Sequence, residues 1–414
     1  MNKVRTAKTK KSATVGLLLF YLFAMIAWLS DVGTIMLSPL GEMFVLPERD
    51  NRPWQEVAPS INVENLPEWL QEYVSFHNAA IANVKEEIGS DNNSYLIYFC
   101  KYKMRCSGTA NQQRSIAAAL MVSILTRRVF LIDIDRPVRL DQILSPNLLE
   151  WNYEWNKTML NQSHSKLQLK MKIDTIYARN LNPPILNSPS QFMPYNSSQV
   201  IYIVTNGPES LNSLWKTKET RSFLAKYNMS NAIFPEQIYK WLFYSLFKPS
   251  KLLKAHMAYV RDQLSLSWSS TYVGVHIRTG DEKFHHKKLK RHGHGEEDLQ
   301  DFVTCANKIK MHGLGKDIPI VLVTDNPGTR VLVSTMDPFV RYANTSIVHT
   351  DLSHTSVNNL EGNLNVWSDI LLLAQANYTV RSQGSFSDLG QRLGARNCSV
   401  SVLTCNNSFV NMTD

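Results

Sequence analysis

The residues best suited to hold a charged ligand follow a short apolar stretch in the second half of the chain. The segment from Val273 to Ile277 is rich in β-branched residues, which predicts a buried strand, and Arg278 follows it directly. In open α/β sheets, ligands bind at the carboxyl ends of the strands. A guanidinium held there can donate two N–H groups to one phosphate. The sequence therefore predicts a phosphate site at Arg278, with His276 either beside the ligand or in the core.

Two other segments carry groups that suit a nucleotide. Asp325 lies between a predicted strand and a predicted helix, where a carboxylate can accept hydrogen bonds from ribose hydroxyls or from a base edge. Ser382 to Ser387 form a Gly/Ser turn before another predicted helix, and the backbone N–H groups of such a turn suit a diphosphate. The alternative is that Asp325 and Ser385 are helix caps.

Two loops are further candidates. Gly108 to Arg114 precedes a predicted helix of the first half, and either Asn111 or Arg114 could reach a ligand, although Asn111 could instead cap that helix. The basic run from Lys283 to His294 contains four histidines, but their spacing matches no established metal site. A solvated loop that could close over an anion is the favoured interpretation, and no metal site is predicted.

Two series of alternating strands and helices must position these groups. The first series predicts a βαβ unit, for which a parallel sheet is the expected outcome. Its strands are Tyr95–Phe99, Val129–Ile134 and Val200–Val204, with helices at Gln113–Thr126 and Glu236–Phe247. The second has strands at Tyr272–Arg278, Ile318–Thr324, Ser346–His349 and Tyr378–Arg381, with helices at Leu299–Met311, Pro327–Thr335, Leu364–Ala376 and Phe386–Leu393. The pattern predicts an α/β protein with two Rossmann-like domains that face each other across a cleft.

The amino terminus predicts a membrane anchor. A basic cluster precedes an apolar run of about the length that spans a bilayer, and the positive-inside rule then places the rest of the chain in the lumen. A cleaved signal peptide is the alternative. The expected organisation is a cytosolic tail (1–12), an anchor (13–37), a stem (38–90), an N-terminal Rossmann-like domain (91–255), a C-terminal Rossmann-like domain (256–395) and a tail (396–414).

Charge and sequons point to the secretory pathway. Five of the basic residues behind the net charge of +9 lie in the predicted tail, and five more lie in the run from Lys283 to Arg291. The rest of the chain is close to neutral, which argues against a nucleic-acid-binding surface. Ten Asn-x-Ser/Thr sequons follow the apolar run, as a lumenal glycoprotein would have.

The five cysteines fall into two near pairs and one single residue. In an oxidising compartment, Cys100 with Cys106 and Cys398 with Cys405 are expected to close small loops. Cys305 lies in a predicted helix and is expected to be a buried free thiol.

Residues 95–395 resemble the GDP-fucose-dependent fucosyltransferase superfamily, which holds the α1,2-, α1,6- and protein O-fucosyltransferases and has the GT-B fold. Val273–Asp281 resembles the family's His-x-Arg motif, and Val321–Pro327 resembles its strand that ends in Thr-Asp-x-Pro. Trp367–Leu389 resembles its donor-binding motif, and Gly108–Pro137 its opening βαβ unit. One departure is Thr279, because several relatives carry a second arginine there, and Lys283 or the basic run would then supply the missing charge.

The resemblance implies roles for individual residues. Arg278 would bind the diphosphate, and Asn111 would approach its junction with fucose. The other donor-binding residues implied are His276, Asp325, Ser382, Gly384, Ser385 and Phe386. Asp281 and Glu282 are the candidates for the catalytic base that deprotonates the acceptor, and both could instead pair with nearby lysines.

The expected function is that of an inverting, metal-independent fucosyltransferase, without a cofactor, that uses GDP-fucose as donor and a glycan or glycoprotein hydroxyl as acceptor. Its expected location is the Golgi membrane, as a type II protein with a lumenal catalytic domain. Two alternatives remain: a catalytically degenerate glycan-binding protein on the same fold, and another lumenal transferase such as a sulfotransferase. The loop Gly108–Arg114 lacks the lysine on which phosphosulfate-binding loops rely.

Overall fold

The structure is a computed structural model, and it describes residues 62–86, 93–101, 108–152, 173–177, 200–204, 214, 217–227, 235–279, 296–348, 359–382, 384–394, 399–402 and 405. All of these belong to one compact unit that spans Arg52–Asp414.

The first half of this unit is built on a parallel sheet of four strands in the order β2-β1-β5-β4. Its strands are β1 (Tyr95–Cys100), β2 (Val129–Ile134), β4 (Ile173–Tyr177) and β5 (Val200–Val204). Its helices are α1 (Glu68–Glu86), α2 (Thr109–Leu125), α3 (Leu140–Ile143), α4 (Lys218–Ala225), α5 (Pro235–Leu246) and α6 (Lys251–Gln263). The short strands β3 (Leu144–Pro146) and β6 (Phe247–Pro249) form an antiparallel pair.

The second half is built on a parallel sheet of five strands in the order β11-β10-β7-β8-β9. The strands are β7 (Val273–Ile277), β8 (Ile320–Thr324), β9 (Val340–Arg341), β10 (Tyr378–Arg381) and β11 (Ser399–Ser401). The helices are α7 (Glu296–Ile309), which continues into a π-helical turn at Lys310–Leu314, α8 (Pro327–Met336), α9 (Leu360–Gln375) and α10 (Ser385–Leu393).

Three strands of these parallel sheets are buried along their whole length. Every residue of β2, β7 and β8 is buried, so these strands are covered on both faces, as strands of parallel sheets usually are. The two halves also share an apolar core. Phe243 of α5 packs against Trp367 of α9 with ring centroids 6.2 Å apart, and both belong to the largest buried cluster. Burial of such large side chains stabilises the fold by roughly 1.5–3 kcal/mol each.

Most predicted helices and strands lie at the predicted positions, but the prediction of one strand was wrong. The predicted strand at Ser346–His349 does not form over Ser346–Val348, and β8 pairs instead with β9 at Val340–Arg341. A side chain, not a neighbouring strand, hydrogen-bonds to the backbone of this segment: Asn365 Nδ2 donates to the carbonyl oxygen of Ser346 over 3.0 Å. The segment is therefore held by helix side chains rather than by a strand partner. The strand β4 was missed.

The cysteine prediction was also wrong in part. Cys305 is not a free thiol, because it forms a disulfide with Cys405, with their Cα atoms 5.9 Å apart. The predicted pair of Cys398 with Cys405 is excluded by the same bond. The two cysteines are buried together in the core of the second half, where α7 packs beneath the sheet. Tertiary packing therefore outweighs proximity in sequence. Cys100 is disulfide-bonded as well.

Within the described residues, no helix is long and apolar enough to cross a membrane. The predicted anchor, residues 13–37, lies outside them. The boundaries assigned to tail, anchor, stem and domains stay predictions.

Candidate functional site

Three strands of the second sheet end at the same level, and this brings the predicted site residues together. His276 of β7 lies level with Arg381 of β10 and with Val323 of β8. The chain segments that follow these strands therefore leave the sheet side by side. All three contribute to the wall of one cavity, which the start of α2, the helix α9 and Ser346–Val348 also border. The cavity residues that were predicted from the sequence are Asn111, His276, Arg278, Asp325, Ser385 and Phe386.

Arg278 is positioned by the two strand ends at its sides. Its backbone N–H donates to Ser382 Oγ over 3.1 Å, and the Ser382 N–H donates to the carbonyl oxygen of His276 over 3.0 Å. Ser382 is buried, so it ties β7 to β10 beneath the cavity. The guanidinium lies against Gly384: a Cβ added to this glycine would be 3.9 Å from Arg278 Nη1. Arg278 is thereby held next to the start of α10.

The backbone conformation at position 384 requires a glycine. Its φ is 157°, a conformation that L side chains rarely adopt, and it is the residue that caps α10. The start of α2 is similar, because Gly108 is its cap. Asn111 and Ser385 therefore lie inside their helices and are not caps, contrary to the alternative that the sequence left open. A glycine offers no side chain to the first-turn N–H groups, so two helix N-termini present N–H donors and positive dipole ends to the cavity.

Asp325 is oriented by the residue that follows Arg278. Thr279 donates to Asp325 Oδ1 from both its backbone N–H, over 2.9 Å, and its hydroxyl, over 3.1 Å. The cap of α8 is Asn326, whose Oδ1 accepts from the N–H of Gly328 over 2.8 Å. The cap interpretation of Asp325 was therefore wrong, and its carboxylate is fixed at the cavity wall.

His276 is a buried, neutral imidazole in the cavity wall. It is only 4 % exposed, and burial lowers its pKa to about 4, while Asp325 acts in the opposite direction and Arg278 in the same direction. Its ring stacks on Phe386, with centroids 5.2 Å apart and planes inclined by 23°. The two predicted interpretations are therefore compatible, since the ring is packed in the core and also borders the cavity.

Two residues of α9 that were not predicted as site residues also belong to the site. Asn365 and Asp369 border the cavity. Burial raises the pKa of Asp369 to about 7, partly offset by the charge of Arg330. Asn365 Oδ1 accepts a hydrogen bond from His256 Nε2 over 2.7 Å, and this bond fixes the orientation of the amide. The signal was present in the sequence, because two polar residues four positions apart share one face of the predicted helix.

No protein-family model matches the sequence, and no curated protein sequence matches it. A mutant of FUT1 from Arabidopsis thaliana, solved in complex with GDP, has a similar structure, with a TM-score of 0.55 and 15% sequence identity over 83% of this chain and 81% of that one. This chain shares its fold with FUT1. Fucosyltransferase NodZ from Bradyrhizobium gives a TM-score of 0.43 at 13% identity over 73% of this chain and 94% of that one. POFUT1 in complex with GDP-fucose gives 0.41 at 10% identity, over 76% and 99%.

The fold shared with FUT1 confirms, at the level of architecture, the resemblance seen in the motifs. The two base candidates of the prediction, Asp281 and Glu282, lie outside the described residues, as does Lys283 with the basic run. In the part of the chain that the structure describes, no group of three or more His, Cys, Asp or Glu residues could hold a metal ion. The polar groups that line the described cavity are guanidinium, imidazole, carboxylate, amide, hydroxyl and backbone groups.

Proposed function

We propose that this protein transfers fucose from GDP-fucose to a hydroxyl of a glycan or glycoprotein, with inversion at the anomeric carbon. One observation carries the proposal: in a fucosyltransferase fold, Arg278 and two glycine-capped helix N-termini meet at one cavity. FUT1, which shares the fold, was solved with GDP. The arrangement is suited to a ligand with a nucleoside at one end and a diphosphate at the other.

The diphosphate end of the cavity can stabilise the leaving group of the reaction. Fucosyl transfer passes through an oxocarbenium-like transition state, so negative charge develops on the departing GDP. Fixed donors aimed at developing charge are among the largest contributions to catalysis. Arg278 can donate two N–H groups to a phosphate, and the starts of α2 and α10 add aligned N–H groups. Protein groups, rather than a metal ion, thereby stabilise the departing GDP.

The carboxylates of the cavity suit the nucleoside end. Guanine presents an N1–H and an exocyclic amino group, and ribose presents two hydroxyls, so both need acceptors. Asp325 and Asp369 are the acidic side chains of the described cavity wall. Because the pKa of Asp369 is raised to about 7, donors from a ligand would favour its ionised form. The cavity can thereby favour a ligand that donates hydrogen bonds to these carboxylates.

Acceptor activation and location complete the proposal. A carboxylate of Asp281 or Glu282 would remove the proton from the acceptor hydroxyl. The apolar run at 13–37 and the ten sequons support a type II protein of the Golgi membrane with its catalytic part in the lumen.

Nucleotide binding and transfer by the full-length chain test the proposal. We expect GDP to raise the thermal midpoint, while UDP, CMP and adenosine phosphosulfate do not. Fucose transfer should persist in EDTA and fall at least about a hundredfold in Arg278→Ala, because the main donor to the leaving group is lost. Arg139→Ala is the matched control, since that arginine forms an exposed pair with Asp141.

Other results would contradict the proposal. Stabilisation by adenosine phosphosulfate would indicate a sulfotransferase. Stabilisation by glycans but by no nucleotide would indicate a glycan-binding protein. Normal turnover in Arg278→Ala would contradict the assignment of Arg278 to the diphosphate site.

A further inference from the structure

Asp388 binds two arginines that come from different parts of the fold. Arg114 of α2 donates from Nη2 to Asp388 Oδ2 over 2.8 Å. Arg381, at the end of β10, donates from Nη1 to the other oxygen, Oδ1. We call these three residues the Asp388 triad. It links the first half of the unit to α10, the helix that Gly384 caps.

The charges of the triad do not cancel. One carboxylate faces two guanidiniums, so one positive charge is left over. Arg381 is the more firmly held of the two, because its Nε also donates to Ser399 Oγ over 3.0 Å. The negative charge of Asp388 is therefore matched by Arg381, and the charge of Arg114 remains available to an anion nearby.

The triad lies one helical turn from the diphosphate end of the cavity. Arg114 follows Asn111 by three positions, and Asp388 follows Ser385 by three positions. Residues three apart share one face of a helix. Since Asn111 and Ser385 both border the cavity, the ion pair of Arg114 with Asp388 joins the two helices just behind their glycine-capped N-termini.

We propose that Arg114 supplies the second positive charge at the diphosphate position, opposite Arg278. The neighbour of Arg278 in sequence cannot do so, because Thr279 is uncharged and donates to Asp325. This inference rests on the proposed function and adds a residue of the first half to the same site. The charge is partly shielded from water, since the Arg114 side chain is 23% exposed, and this strengthens its attraction for a phosphate.

Calorimetric titration of the full-length protein with GDP and with guanosine tests the assignment. Arg114→Gln should raise the Kd for GDP about tenfold or more, because a charge-assisted interaction is lost, and should leave the Kd for guanosine within about twofold. Arg114→Lys keeps the charge and should lose less than Arg114→Gln. Asp388→Asn removes the negative charge but keeps an acceptor oxygen, so GDP should bind several-fold more tightly, with guanosine unchanged.

Arg392→Gln is the matched control. Arg392 lies on α10, the helix that also carries Asp388. It pairs with Glu236 of α5 over 3.8 Å, so it also links the two halves. If Arg114 were only a structural link, both arginine variants would change GDP and guanosine binding alike, and Asp388→Asn would weaken binding. Either result would overturn the inference. Should Arg114→Gln fail to fold, the direction of the Asp388→Asn effect decides. A wild-type protein that binds no GDP would instead contradict the proposed function.

Discussion

Thr279 shows how a single side chain changes the interpretation of a motif. The sequence presented it as a position that lacks a second arginine. In the structure, its N–H and its hydroxyl both donate to Asp325 Oδ1, so it orients a cavity carboxylate. The second charge that we propose for the site belongs to Arg114 of α2, which pairs with Asp388. The charge of a site can therefore come from residues far apart in sequence, which a linear motif does not reveal.

Residue types predicted the strand-end part of the site and missed the helical part. Arg278, Asp325 and Ser385 were found because strands and turns place such residues at one edge of a sheet. Asn365 and Asp369 were missed because a polar residue in a helix more often faces solvent. Which face of α9 borders the cavity depends on how the helix packs, and packing is set by the whole fold.

His276 predicts how stability depends on pH. Its pKa is about 4 in the folded protein and about 6.5 when unfolded. Between these values the unfolded chain binds a proton on His276 that the folded protein does not, so the free energy of unfolding falls as the pH is lowered from 6.5 to 4. His276 contributes on the order of 3 kcal/mol to this fall.

Urea unfolding of the wild type and of His276→Asn between pH 4 and 7 measures this contribution. The variant should show a shallower dependence on pH than the wild type. His312→Asn, which changes an exposed histidine, is the control variant. Parallel curves for the wild type and His276→Asn would contradict the burial of this imidazole.

At the scale of elements, the apolar strands were predictable because their patterns are strong and local. Strands such as β2 and β7 are buried on both faces, and each forms a short β-branched or aromatic run. Ser346–Val348 has the same composition but lies at the cavity wall without a strand partner. Its conformation depends on donors from other elements, including Arg330 Nη1 to the carbonyl oxygen of Thr345.

Helices α9 and α10, which both border the cavity, approach each other closely at Gly390. A Cβ at Gly390 would lie 2.7 Å from Leu373 Cβ and 3.2 Å from the carbonyl oxygen of Ile370. Gly390→Ala should therefore push the helices apart and destabilise the protein by about 1–3 kcal/mol, despite the better helix propensity of alanine. GDP affinity should fall as well, because both helices border the cavity.

Thermal unfolding and GDP titration check the Gly390 prediction. Gly313→Ala is the matched control, because a Cβ there would meet its nearest atom, Tyr378 Oη, at an ordinary 3.5 Å. The control should unfold at the wild-type temperature or higher. A Gly390→Ala variant that is as stable as the control would show that the two helices do not limit each other.

At the scale of the whole molecule, the sequence could not show which distant segments meet. Tyr244 of α5 donates from its hydroxyl to the carbonyl oxygen of Leu393 over 2.8 Å, across 149 positions of sequence. Phe243, beside it, packs on Trp367. Such contacts join the two sheets into one unit with a common core. Cysteine pairing follows from the same packing, which explains why pairing by proximity in sequence failed.

The disulfide between Cys305 and Cys405 should be a major source of stability. It closes a loop of 100 residues that contains β8, β10, α9 and α10, and therefore most of the described cavity wall. Closing a loop of this length restricts the unfolded chain and stabilises the folded state by about 4–5 kcal/mol. The double variant Cys305→Ala/Cys405→Ala should lose stability on this order in denaturant unfolding, and added reductant should shift the wild type in the same direction.

Peptide mapping without reductant identifies the bond directly. Proteolysis of the alkylated wild-type protein should release one peptide pair that joins Cys305 to Cys405. Cys398→Ala serves as the control variant: it should retain this pair, and it should remain more stable than the double variant. A peptide pair that joins Cys398 to Cys405, with Cys305 alkylated, would contradict the packing of α7 against the end of the chain. Stability would then depend on a loop of a few residues, whose closure restricts the unfolded chain far less.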